Sequence, residues 1–297
     1  MWEILPQLLV NSLITGSVYA LVSAGLVLTF AVLRVLNFAH GHLMMLGAYA
    51  LLLFHTDFKL NLFLAVVCSS VLMMTVGFLV LKIFISPFVR TNSLLPLVTT
   101  ITLGTILESA VAMIFGVNVR SLNQLSGIVS FDWGGVYVTP IELIIIGSAF
   151  LFLTILGYVI HLTKLGRCFR AIAEHPEAAA GLGISAQTVT LIAFLTSMLL
   201  AGYAGALIGH QSHLVPTMGA IYSMKAFAAM VLGGLGNVWG AVAGAYILGI
   251  VENLAVGVEV GGYSIPAGYK DGFAFMLILV ILLIKPSGVF GTTERKT

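Results

Sequence analysis

Charge is what this sequence lacks most: Asp, Glu, Lys and Arg make up only 8% of its 297 residues. None occurs in 4–33, 60–81, 91–107, 143–163, 178–224 or 226–251. A helix in water needs a charged or polar outer face, whereas one in hydrocarbon must avoid ionised side chains, at about 2.5–3.5 kcal/mol each near the bilayer centre. Cysteine is also scarce. Cys68 and Cys168 are the two present, which excludes a disulfide framework and leaves both as packing thiols. No Gly is followed directly by Lys, so a phosphate-binding loop of the Gly-Lys-[Ser/Thr] type is excluded. His40 and His42 stand two apart and face different sides of a helix, which argues against a paired metal site. The basic residues are scattered rather than striped, so nothing suggests a nucleic-acid partner. No polar stretch is long enough for a separate soluble domain.

What remains is hydrophobic, 60% of the chain. Apolar segments run at 5–33, 38–54, 62–84, 94–116, 140–161, 188–209, 222–232, 238–256 and 271–285. With roughly 20 residues needed per span, these predict an all-α, polytopic transmembrane bundle of about eight or nine spans, forming one domain over 1–297. Segment 222–232 is too short to cross alone and is expected to be half of a broken or re-entrant helix. The start, Met1-Trp2-Glu3, lacks a basic region, so a cleaved signal peptide is not expected. Threading the chain both ways collects Arg34, Lys82, Arg90, Lys164, Arg167, Arg170, Lys285, Arg295 and Lys296 on one side. The other side keeps Lys59, Arg120, Lys225 and Lys270, which predicts a cytoplasmic C-terminus and, if every segment crosses, an exterior N-terminus. The loop 117–139, with Asp132 and Gly134-Gly135, is then exterior, and 162–187 is cytoplasmic.

Two stretches look irregular for membrane depth. Leu36-Asn37-Phe38-Ala39-His40-Gly41 precedes Leu46-Gly47-Ala48-Tyr49-Ala50-Leu51, and Gly233-Gly234-Leu235-Gly236-Asn237 precedes Ala243-Gly244-Ala245-Tyr246-Ile247-Leu248. A broken lead-in followed by a similar helix in each half predicts an internal duplication. Irregular backbone in a bilayer must be satisfied by protein or line a cavity, and a half-helix starting there would aim unpaired N–H groups inward, which suits a carboxylate. The competing reading is close packing by small residues, as at the spacing Gly236–Gly240–Gly244. Asn37, His40, Gly41, Gly233, Gly234, Gly236 and Asn237 are the candidate pathway residues, although His40 by itself reads as a packing residue. Glu108 and Glu252 lie in apolar surroundings and are functional candidates as intramembrane acids. Glu108 has no basic neighbour on its own helix, and Glu252 is near enough to the interface to be hydrated.

The most specific signal runs from Gly166 to Ile184. Pro176 suits the first helical position, Glu177 the positive end of the helix, and Gly181 or Gly183 its termination. The result is a short alanine-surfaced helix able to lie in a partner's groove. Glu177-Ala178-Ala179, three residues and then Gly183 resembles the start of the Glu-Ala-Ala coupling loop of ABC importer permeases, although its later Ile-x-Leu-Pro part is absent. Together with 36–41, Leu232 to Asn237 with Gly240-Ala241, and Lys285-Pro286-Ser287-Gly288-Val289-Phe290-Gly291, the chain resembles the branched-chain amino acid permease family along its whole length. That resemblance implies a multi-pass subunit of the bacterial inner membrane that imports leucine, isoleucine and valine. It implies partnership with a second related permease, two cytoplasmic ATPases and a periplasmic binding protein. ATP would be hydrolysed by those partners, with no cofactor on this chain, and Arg167, Arg170, Glu174, Glu177 and Gly183 would dock the ATPase. Relatives carrying urea, amides or other small acids leave the substrate open. A secondary transporter using Glu108 and Glu252 for ion coupling, and a passive channel, are the rival readings.

Overall fold

The computed structural model describes residues 4–89, 94–122, 130–132, 134–257, 266–285 and 287–291. Arg90, Arg295 and Lys296, counted in the charge bias, lie outside these residues, as does Pro286. Helix takes up most of the described residues in the uncharged runs, because a chain without side-chain charge in an apolar medium must pair its own peptide groups. The first helix, α1 (Leu5–Leu33), ends at Arg34, whose left-handed backbone (φ 55°) stops it. After an irregular segment comes α2 (His40–Leu52), buried on almost every side. Then follow α3 (Leu62–Val80), started by the Asn61 side chain, α4 (Ser86–Val89) and α5 (Leu94–Phe115). A small antiparallel pair, β1 (Phe131–Asp132) and β2 (Tyr137–Val138), leads into α6 (Pro140–Leu162). Thr139 and Glu142 cap the start of α6 reciprocally, as a Thr-x-x-Glu sequence is suited to do. The chain continues through α7 (Lys164–Glu174), α8 (Pro176–Gly181), α9 (Ala186–Gln211), α10 (Met218–Gly233), α11 (Val238–Gly257) and α12 (Lys270–Ile284).

Six helical stretches among the described residues are long and apolar enough to cross a membrane: Leu5–Leu33, Leu62–Val89, Leu94–Phe115, Pro140–Leu162, Ala186–Gln211 and Val238–Ala255. Segment 222–232 is longer than expected. As α10 it begins four residues earlier and spans 16 residues, about 24 Å of helix.

The core consists of α1, α2, α9, α10 and α11, and small residues let their backbones meet. A Cβ placed on Gly47 would lie 2.8 Å from Gly202 Cα, and one on Gly205 would lie 2.1 Å from the Met44 carbonyl oxygen. The surrounding helices do the opposite and turn large apolar side chains outward. Phe63 of α3 is 80% exposed, Met113 of α5 is 87% exposed and Leu283 of α12 is 77% exposed. An apolar surface of this extent is untenable in water and is what a helix facing lipid tails presents.

The helix ends gather in two layers. Arg34, at the end of α1, bonds to Ala173 of α7, and a cavity of about 750 Å³ beside them is lined by Arg170, Asn237 and Phe290 as well. At the opposite end Arg120 bridges to Leu214 after α9, and Gln7 bonds to Tyr137 beside α6.

Candidate functional site

The irregular segment before α2 folds back into the protein. Asn37 is buried, and its Oδ1 accepts from the Ala39 N–H at 3.1 Å. Thr100 Oγ1 of α5 accepts from the Phe38 N–H at 3.3 Å. Ser223 of α10 forms a two-way clamp: its Oγ accepts from the Gly41 N–H at 2.9 Å and donates to the Phe38 carbonyl at 2.8 Å. A Cβ on Gly41 would stand 2.3 Å from the Ser223 nitrogen and 2.4 Å from the Gly219 carbonyl oxygen, so only glycine permits this approach. The N–H groups of Ala39 and Gly41 are therefore partnered by protein, not left free for a carboxylate as the sequence suggested. Close to this segment, Asn37 Nδ2, His40 Nδ1 and His42 Nδ1 are among the buried polar atoms without a hydrogen-bond partner. His40 is fully buried, with Nε2 3.0 Å from the Val22 carbonyl. Glu108 does have a partner, supplied by another helix: His42 Nε2 lies 3.5 Å from its Oε2.

The second glycine group sits elsewhere. Gly233 lies against Gly240, where a Cβ would come 2.0 Å from the Gly240 carbonyl carbon. Gly234 (φ 100°) turns the chain against Gly291, and Gly236 (φ 88°) turns it in open space. Asn237 Oδ1 accepts from the Gly240 N–H at 3.1 Å, a local cap that starts α11. From Ser223, which touches Gly41, to Gly233 is ten residues of α10, about 15 Å along the helix. The seven candidate pathway residues thus fall into two groups: Asn37, His40 and Gly41 in the interior, and Gly233, Gly234, Gly236 and Asn237 at the α7 end.

Lys225 is not a loop cation as the charge pattern suggested; it is buried within α10. Its Nζ stands 3.1 Å from Glu252 Oε1 and 2.8 Å from Asp271 Oδ1, and it donates to Tyr19 Oη at 2.7 Å. Tyr19 in turn donates to Glu252 Oε2 at 2.8 Å. Glu252 is 0% exposed rather than hydrated, and Lys270 adds a second cation at 3.9 Å. Two cations and two carboxylates, drawn from α10, α11 and α12, form a neutral network with a tyrosine of α1. A polar cavity of about 410 Å³ adjoins it, lined by Asn11, Gln211, Ser212, Tyr222 and Asn253 among others. Neither Ser223 nor the network was evident from sequence. The legible hint was a lysine inside an otherwise uncharged run.

Residues 164–183 form two short helices folded onto the bundle. Phe169, Ile172 and Ala179 face inward, while Arg167, Arg170, Glu174, Glu177 and Gly183 are exposed. Arg170 turns its guanidinium back to the Ile160 carbonyl at the end of α6. Pro176 occupies the first position of α8 and Glu177 its first turn. Gly183 (φ 82°) closes it, with its N–H on the Ala180 carbonyl at 3.0 Å and that of Ile184 on Ala179 at 3.1 Å.

The family model described as "Branched-chain amino acid transport system / permease component" matches residues 8–282. This chain belongs to that family. A high-affinity branched-chain amino acid transport system permease protein of Pseudomonas aeruginosa, BraD, is 31% identical, covering 97% of this chain and 96% of its own. The LivH permease protein of Escherichia coli K12 is 30% identical, with the same 97% and 96% coverage. An autoinducer 2 import system permease, LsrC of an Enterobacter species, is 32% identical over 47% of this chain and 41% of its own. Among solved structures, PsaBC from Streptococcus pneumoniae, in complex with Fab, superposes with a TM-score of 0.52 at 12% identity. It covers 96% of this chain and 92% of that one, a likeness of fold alone. With six helices among the described residues long and apolar enough to cross a membrane, and permease relatives along its length, the chain is a multi-pass protein of the inner membrane.

Proposed function

We propose that this chain is the permease subunit of an ABC importer for leucine, isoleucine and valine. The observation that carries the reading is the near-full-length match to the branched-chain permeases, joined to an exposed Pro176–Gly181 helix closed by Gly183. In this reading the chain pairs with a second permease, and ATP is hydrolysed by two cytoplasmic ATPases, with a periplasmic binding protein delivering substrate. The α7 end is cytoplasmic. The helices α1, α2 with its re-entrant lead-in, α3, α5, α6, α9, α10, α11 and α12 make nine crossings, with the N-terminus outside. Positive-φ residues at Arg34 and at Gly234 and Gly236, each followed by an apolar helix, support descent from a duplicated ancestor.

Closure of the ATPases pulls on α7 and α8, where Arg167, Glu174 and Glu177 face the solvent, and rocks the bundle between two states. Asn37, His40 and Gly41, with the His42–Glu108 pair, border the pathway; Gly233, Gly234, Gly236 and Asn237 shape its cytoplasmic mouth. Urea, amides or other small acids are the alternative cargo for the same machine. The test is uptake of labelled leucine by proteoliposomes holding the complete complex. Uptake should require internal ATP and both ATPases. Uptake driven by an ion gradient without them would replace this reading with a secondary transporter.

A further inference from the structure

Three observations converge on Arg34. Its backbone is left-handed (φ 55°, ψ 24°), with its N–H on the Phe30 carbonyl at 2.8 Å. A glycine would make this turn without strain, so an arginine there points to work for the side chain. The guanidinium donates from Nη2 to the Ala173 carbonyl at 2.5 Å. Ala173 stands in the last turn of α7, where carbonyls lack helical partners and the helix dipole favours a cation. Finally, Arg34 opens the segment that the Ser223 hydroxyl grips at Phe38 and Gly41. One end of 34–41 is thus held to α7 and the other to α10, with few residues to absorb slack between the two anchors.

We propose that Arg34 is the positioning residue through which displacement of the coupling helices reaches the re-entrant segment, an inference that rests on the ATP-driven import proposed above. When α7 shifts, the guanidinium carries the start of 34–41 with it, and the Ser223 clamp transmits the shift to α10. Arg34 touches no substrate in this account. It sets the position of Asn37, His40 and the start of α2.

The experiment measures ATP hydrolysis and leucine uptake together, on the complete complex in proteoliposomes, for wild type, R34K and R34G. Glycine keeps the left-handed turn and removes the side chain, whereas lysine keeps a cation able to reach the carbonyl. R34G should retain hydrolysis yet lose about tenfold or more in leucine transported per ATP, the size of a typical coupling between sites. R34K should keep most of the wild-type ratio. A wild-type ratio in R34G, or a ratio in R34K as poor as in R34G, overturns the link. Should R34G fail to insert, R34Q carries the test, its neutral and shorter side chain being expected to lower the ratio as R34G would. A wild-type complex with no ATP-dependent uptake removes the importer reading itself, whereas coupled uptake in both wild type and R34G removes only the link.

Discussion

Replacing Lys225 with methionine keeps the length of the side chain and deletes the cation at the centre of the buried network. The ammonium lies about 3 Å from Glu252 and Asp271 alike. At an effective dielectric constant near 20, each such pair is worth about 5 kcal/mol before desolvation is counted. The two carboxylates would suffer unequally. Asp271 has 43% of its side chain exposed and can rehydrate, whereas Glu252 has 0% and cannot. Removing one partner of a buried pair typically costs about 3–5 kcal/mol, because the survivor keeps its desolvation penalty. Lys270, at 3.9 Å from Glu252, offsets part of that, which brings the expected loss to about 3 kcal/mol. At roughly 2–4 °C per kcal/mol for a chain of this size, thermal unfolding in detergent should shift down by roughly 6–12 °C. Adding E252Q removes the stranded charge, and the double variant should recover most of the loss. K225M melting within about 1 °C of wild type, or a double variant less stable than the single, would mean that Lys225 does not hold the buried carboxylates.

Gly41→Ala drives a methyl group into the backbone of α10, 2.3 Å from the Ser223 nitrogen. Uptake should be abolished and the melting point should fall by more than in G236A, where only the left-handed φ is strained, at about 1–2 kcal/mol; equal melting of the two would contradict the close approach. Glu108→Gln replaces a carboxylate that is 30% exposed and paired with a 10% exposed His42 by an amide still able to hydrogen-bond to it, so stability should change by about 1 kcal/mol while uptake falls; unaffected uptake removes Glu108 from the pathway. Gly183→Ala meets no steric obstacle but forces a methyl-bearing residue to φ 82°. It should disturb the end of α8 by about 1–2 kcal/mol and lower stimulation of the ATPases by loaded binding protein, with normal stimulation counting against the lever.

Most helices were legible because their signal is one-dimensional. The apolar segments 5–33, 94–116 and 238–256 became Leu5–Leu33, Leu94–Phe115 and Val238–Gly257. Pro176 and Glu177 opened a helix and Gly183 closed it for local reasons of dihedral angle and dipole, which the sequence states directly. What stayed hidden in α10 was the burial of Lys225, which the charge count had placed with the exterior cations. A lysine can lie inside such a helix only if acids from elsewhere in the chain meet it, and Glu252 and Asp271 are 27 and 46 positions away. The partners of Glu108 and of the α2 amides were hidden for the same reason. His42 and Ser223 reach them from other helices, and side-chain type alone does not announce such a meeting.

In the proposed importer a partner's ATPase works this permease by gripping α7 and α8. The most direct measurement of that grip is cross-linking from a cysteine placed at Glu177, in a chain whose Cys68 and Cys168 are replaced by serine, within the complete complex in its membrane. Glu177→Cys should cross-link to the ATPase subunit, with a yield that changes between nucleotide-free and ATP-bound states. A cysteine at Asp132, in the loop before α6, should never do so. Failure of Glu177→Cys to reach the ATPase in either state, in a complex that still imports leucine, would contradict that grip.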